Sequence, residues 1–256
     1  MNGNFKDHLY LWCHEPGVYD SIPGLHDSSS CTPAEAAAFM GIDNIIMVSY
    51  GGSPVPPFAP VHEAFSHLKH VVWSVIGDAG CRYDNREGFV DEVISLKGRF
   101  ANVTGGIMDD FFHEGRSPFD LEAISGKMRR AGLPLWVVVY DFQIGRADVL
   151  EKLRQCDVIT FWTWDVKNIG SMERDLTGLR RSFPEKKIAA GCYLWNFGGD
   201  TPLTLRHMAY QCGAALDLLD GGIIDDIILL GSPLVGMKLP AVDWARAWVR
   251  ENAGKR

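Results

Sequence analysis

In "GGIMDDFFHEG", residues 105–115, an apolar run stops at two successive acidic side chains, Asp109 and Asp110. Ionised carboxylates this close repel unless solvent, a cation, a metal or a substrate compensates. Cleavage of a glycosidic bond calls for such a pair, one protonated as acid and one ionised as nucleophile or base. Other apolar runs also end in residues able to do chemistry: His14–Glu15, Tyr50, Tyr140–Asp141, Trp162, Trp164–Asp165 and Trp195–Asn196. Carboxylates among aromatics suit a sugar, whose C–H faces stack on flat rings while its hydroxyls bond to Asp, Glu, Asn and His. Asp109, Asp110, Asp141 and Asp165 are therefore the candidate catalytic residues. His14, Glu15, Tyr50, Tyr140, Trp162, Trp164, Trp195 and Asn196 are the candidate substrate-binding residues.

The elements that must position them recur regularly. Eight short apolar or β-branched runs begin at residues 8, 44, 70, 102, 134, 157, 187 and 225, the mark of buried strands. Helix-like segments lie between them. "CTPAEAAAFMGI" offers Thr32 as N-cap with Pro33 at the first helical position. "SPFDLEAISGKMRRAGLP" offers Ser117 before Pro118 and a Gly132–Leu133–Pro134 stop. Leu205, Met208, Ala209, Cys212, Ala215, Leu216 and Leu219 recur at helical spacing. Strands alternating with helices imply parallel pairing, and parallel strands are apolar on both faces. Eight units predict an α/β fold, a (β/α)8 TIM barrel, with residues 1–256 forming one domain. Chemistry in that fold gathers at the C-terminal strand ends, where the candidates above lie. Asp225 and Asp226 precede the last strand and belong to the opposite, stability face. Asp141 and Asp165 have a second available role as caps of the following turns.

The chain has 256 residues and a formal charge of −7. This balance, with no Lys/Arg-rich run, argues against nucleic acid or an anionic membrane as partner and for a small-molecule or glycan substrate. Neither a basic-then-apolar leader nor an apolar run long enough to span a bilayer is present, so the expected location is cytoplasmic. The same reading fits a secreted protein trimmed of its signal. None of the six cysteines forms a CxxC pair, and Cys13 and Cys192 read as small buried residues. No GxGxxG or GxxxxGK[ST] motif calls for a dinucleotide or nucleotide, and no cofactor is expected. A second reading is a divalent-metal enzyme ligated from among His14, Glu15, Asp109, Asp110, His113, Asp141 and Asp165. A third is a barrel that binds sugar without turning it over.

The strand-end layout resembles the barrel glycoside hydrolases. The GxxxDD ending of the fourth run is similar to the chitinase-like and α-galactosidase-like groups, and that resemblance implies a catalytic aspartate at this strand end. The α-galactosidase-like comparison implies a second carboxylate at the sixth strand end, where Asp165 stands. The α-amylase-like comparison implies one at the fifth, where Asp141 stands. The chitinase pattern DxxDxDxE is absent, with Gly105 and Phe112 at its outer positions, and the seventh run ends in Asn196 rather than glutamate.

Overall fold

The computed structural model describes residues 4–76, 88–112 and 120–254. Eight parallel strands close into a barrel in chain order. They are β1 (Leu9–Cys13), β2 (Asn44–Met47), β3 (His70–Ser74), β4 (Val103–Met108), β5 (Leu135–Tyr140), β6 (Val158–Trp162), β7 (Lys187–Tyr193) and β8 (Asp226–Leu230). Closure is completed by β1 on β8, with Leu9 opposite Ile227. Helices α1 (Pro33–Met40), α2 (Ala59–His62), α3 (Gly88–Arg99), α4 (Leu121–Arg130), α5 (Ala147–Leu153), α6 (Met172–Ser182), α7 (Leu205–Asp220) and α8 (Pro240–Asn252) follow the strands in turn. This is the TIM barrel read from the sequence.

Local chemistry sets the helix starts. The Thr32 hydroxyl accepts from the Glu35 N–H at 3.3 Å, and the Glu35 carboxylate accepts from the Thr32 N–H at 2.9 Å. That reciprocal pair satisfies two donors that the first turn of α1 would leave open. Asp120 caps α4 by accepting from the Ala123 N–H at 2.9 Å. The sequence-based start of that helix, Ser117 and Pro118, lies outside the described residues. Arg180 reaches Asp225 at 2.5 Å, and the same carboxylate accepts from the Ile188 N–H. Asp225 thus ties the N-terminal face together. Among the described residues, no helix is long and apolar enough to cross a membrane.

The barrel interior is filled by large rings. Tyr10 of β1 meets Trp136 of β5 with ring centroids 5.3 Å apart, and Trp12 meets Trp162 of β6 at the same separation. Contacts between strands so far apart around the ring must pass through the middle. Two glycines make the room. A Cβ on Gly105 would come within 2.7 Å of the Trp136 indole nitrogen, and one on Gly191 would sit 2.1 Å from the Trp162 ring. Gly106 faces the other way, toward Val75 and Met128 of the helix layer. The Trp162 Nε1–H donates to Thr160 Oγ1 at 3.0 Å, so this buried indole is satisfied inside its own strand.

Gly191→Ala should therefore force Trp162 off its seat and destabilise the fold by about 1–3 kcal/mol. Urea unfolding followed by tryptophan fluorescence measures this. An unchanged midpoint would mean that the ring is free to move aside.

Candidate active site

Above that floor, at the C-terminal strand ends, lies a cavity of about 320 Å³. Ligand pockets run from about 300 to 1,000 Å³, so this one suits a single small ring. Its walls are Trp12, Tyr19, Tyr50, Tyr140, Trp162, Trp164, Tyr193 and Phe197, with His14, Val138 and Leu230; Asp109 and Asp110 supply the carboxylates.

Two successive residues of a regular strand point to opposite sides. Gly106 faces the helices and Gly105 the interior, so the alternation carries Asp109 inward and would carry Asp110 outward. The chain breaks the pattern at Asp110, whose φ is +49°. Left-handed backbone is costly for a side chain other than glycine, although Asp tolerates it better than most. Its effect here is that both carboxylates line one cavity. Asp109 is buried and accepts from the Asp110 N–H at 2.9 Å, which holds the turn. Asp110 is half-buried and accepts from the Tyr140 hydroxyl at 2.7 Å.

The phenols around the pair stay protonated. Burial first, then the charges of Asp109 and Asp110, push the pKa values of Tyr140 and Tyr193 well above the usual range. Tyr19 is raised by burial, then by Tyr50 and Asp109. The site thus offers carboxylates beside O–H donors and aromatic faces. His14 is different. The Trp12 Nε1–H donates to its Nε2 at 3.0 Å, and its Nδ1 lies 2.9 Å from the Val48 carbonyl. With Nδ1 donating, both nitrogens are used by the fold. Burial lowers its pKa to about 4, partly opposed by the Val48 carbonyl. His14 is a neutral wall whose ring contacts Tyr19 and Tyr50.

Of the twelve residues expected from sequence, Asp109, Asp110, His14, Tyr50, Tyr140, Trp162 and Trp164 line the cavity. Five do not. Asp141 accepts from the Trp164 N–H at 3.2 Å and the Asn168 side chain at 2.9 Å. It ties the β5 exit to the β6 exit. Asp165 caps a 3₁₀ turn through the Lys167 N–H at 3.1 Å and pairs with the Lys167 ammonium at 2.8 Å. Those Lys167 contacts hold its carboxyl below the usual range. Neither aspartate is among the residues that line the cavity with Asp109 and Asp110. Trp195 is fully buried beneath the Gly24 backbone, where a Cβ would come within 3.0 Å of its ring. Asn196 accepts from the Val166 N–H and donates to Thr201, stapling the loop after β7. Glu15 is not among the lining residues; it is half-buried, and burial raises its pKa.

Trp12, Tyr19, Tyr193 and Phe197 are lining residues that strand-end reading missed. Inward alternation from Gly191 could have found Tyr193, and alternation from His14 could have found Trp12. Tyr19 and Phe197 come from loops and carry no local signal. His113 and Glu114 lie outside the described residues. Among the described residues, no group of three His, Cys, Asp or Glu side chains could hold a metal ion.

A TIM barrel with an acidic, aromatic cavity at the C-terminal ends of its strands is the class that fold and site define. No protein-family model and no curated protein matches the chain. Solved structures do. The tryptophan synthase A-subunit of Pyrococcus furiosus superposes with a TM-score of 0.56 at 14% identity, covering 98% of this chain and 100% of that one. A candidate α-L-fucosidase from Bacteroides thetaiotaomicron superposes with a TM-score of 0.57 at 12% identity, covering 87% of this chain and 88% of that one. At these identities the likeness shows the fold.

His14 makes stability depend on pH. Its pKa is about 4 in the fold against 6.5 in its ordinary state, so the unfolded chain binds the extra proton between those values. The stabilisation is complete above pH 6.5 and is lost as pH falls through the folded value. It amounts to at most about 3 kcal/mol. The urea midpoint should fall more steeply between pH 7 and 4 in the parent protein than in His14→Gln; parallel curves would refute the assignment.

Proposed function

We propose that this protein is a carbohydrate-active enzyme, a glycoside hydrolase that uses Asp109 and Asp110 on a sugar ring held among the cavity aromatics. The observation that carries the reading is the left-handed backbone at Asp110, which places two neighbouring carboxylates in one aromatic-walled cavity. Strained backbone at a strand end of this fold accords with function rather than packing. Flat rings on several sides suit the C–H faces of a sugar, and phenol donors suit its hydroxyls.

In this reading Asp110, the more exposed member, protonates the leaving-group oxygen as the glycosidic bond breaks. Asp109, deeper in the cavity, supplies negative charge to the cationic anomeric carbon and adds to it as nucleophile. Water, deprotonated by Asp110, then displaces Asp109 and restores both groups. Tyr140 orients Asp110 through its hydroxyl. Double displacement of this kind retains the anomeric configuration and goes with a carboxyl separation of about 5 Å, against roughly 6.5–9.5 Å for inversion.

Asp110→Asn should lower kcat about 10²–10⁴-fold on alkyl glycosides. The loss should be smaller on aryl glycosides whose phenol leaves without a proton. Full turnover by both Asp109→Asn and Asp110→Asn on any substrate found would overturn the reading, and glycan binding without turnover would favour the non-catalytic alternative. Proton NMR of the first-formed sugar should show the substrate's anomeric configuration; the opposite anomer would mean that the second carboxylate comes from elsewhere.

A further inference from the structure

Phe142 is an anomaly on the rim. Its ring is 58% exposed, while Tyr140, two residues earlier, is 7% exposed and lines the cavity. A lone exposed apolar side chain is ordinary, but this one is built into place. Its ring lies nearly parallel to Tyr140, 7° between planes and 5.4 Å between centroids. The turn that carries it is locked by buried Gln143, whose side-chain oxygen accepts from the Tyr140 N–H at 3.0 Å and whose N–H donates to the Tyr140 carbonyl at 2.9 Å. Trp164 sets its edge to the same Tyr140, with centroids 5.4 Å apart, and is itself 38% exposed. Asp141, between Tyr140 and Phe142, fixes the Trp164 backbone to this turn. An aromatic surface therefore runs without a break from the cavity wall at Tyr140 outward to Phe142 and Trp164.

The cavity volume suits one ring, and the apolar surface continues past its mouth. We propose that Phe142 and Trp164 form an outer platform for the second unit of a glycan chain, so that the cavity takes the terminal ring and the enzyme works from chain ends. This rests on the carbohydrate reading and adds to it the substrate class, an oligosaccharide rather than an isolated monosaccharide glycoside. The occupant is the neighbouring unit of the same ligand, because the platform is continuous with the cavity that would hold the first. The Gln143 lock means that the platform is formed before the chain arrives, so little ordering cost is paid on binding.

The test uses calorimetric titration with methyl glycosides of hexoses, deoxyhexoses, pentoses and N-acetylhexosamines, and with their oligomers of two to four units. The parent protein should bind an oligomer more tightly than the matching methyl glycoside. In Phe142→Ala the ratio of the two affinities should fall roughly five- to tenfold, the worth of one aromatic contact, and Phe142→Tyr should restore it. A ring that merely supports the wall would weaken both ligands alike and leave the ratio unchanged. An unchanged ratio overturns the platform while the carbohydrate reading stands. Absence of binding by every sugar overturns both.

Discussion

An eight-stranded barrel is just wide enough for side chains to fill, and in this chain the filling is done by indoles and phenols. Trp162 lies flat against Gly191, where even a methyl group would collide. That contact sets the level of the cavity floor. Trp12 crosses from the far side to meet Trp162 edge-on, and the two rings floor the cavity at the C-terminal strand ends. Rings this large cannot be stacked further without overfilling, and the space above them becomes a cavity with aromatic walls.

The donors on those walls are committed in layers. The deepest polar groups satisfy the fold: the Trp162 indole bonds to Thr160, and Trp12 bonds to His14, which in turn meets the Val48 carbonyl. One level higher, Tyr140 bonds to Asp110 and so ties wall to carboxylate. Higher still, Asp141 and Gln143 shape the β5 exit by accepting from the Trp164 and Tyr140 backbone. The acid count at the rim is thus misleading, because acids of one type do three kinds of work. Asp165 caps a turn, Asp141 joins two loops, and Asp109 with Asp110 meet the cavity.

Much of the frame was legible from periodicity. Strand spacing, apolar runs and the Thr32 cap all depend on residues near one another in the chain, and each was found where local rules put it. The site was legible only in part. Tyr140, Trp162 and Trp164 sit inside or just past strands, so their position along the chain locates them. Trp195 and Asn196 share that position, yet Trp195 packs against the Gly24 backbone and Asn196 bonds to Val166 and Thr201, contacts that no local pattern announces. Tyr19 and Phe197 meet at 5.4 Å although nearly the whole barrel separates them in sequence.

The sequence by itself determined the barrel and its polarity, because these follow from a repeating pattern of apolar runs and from the direction of parallel strands. Tertiary structure alone decided which acids share a cavity. A side chain's direction at a strand end depends on local backbone torsions and on the contacts that hold them, which the apolar repeat does not encode. At Asp110 a left-handed φ turned one carboxylate inward beside its neighbour; at Asp141 and Asp165 backbone N–H groups of nearby turns captured the side chains first.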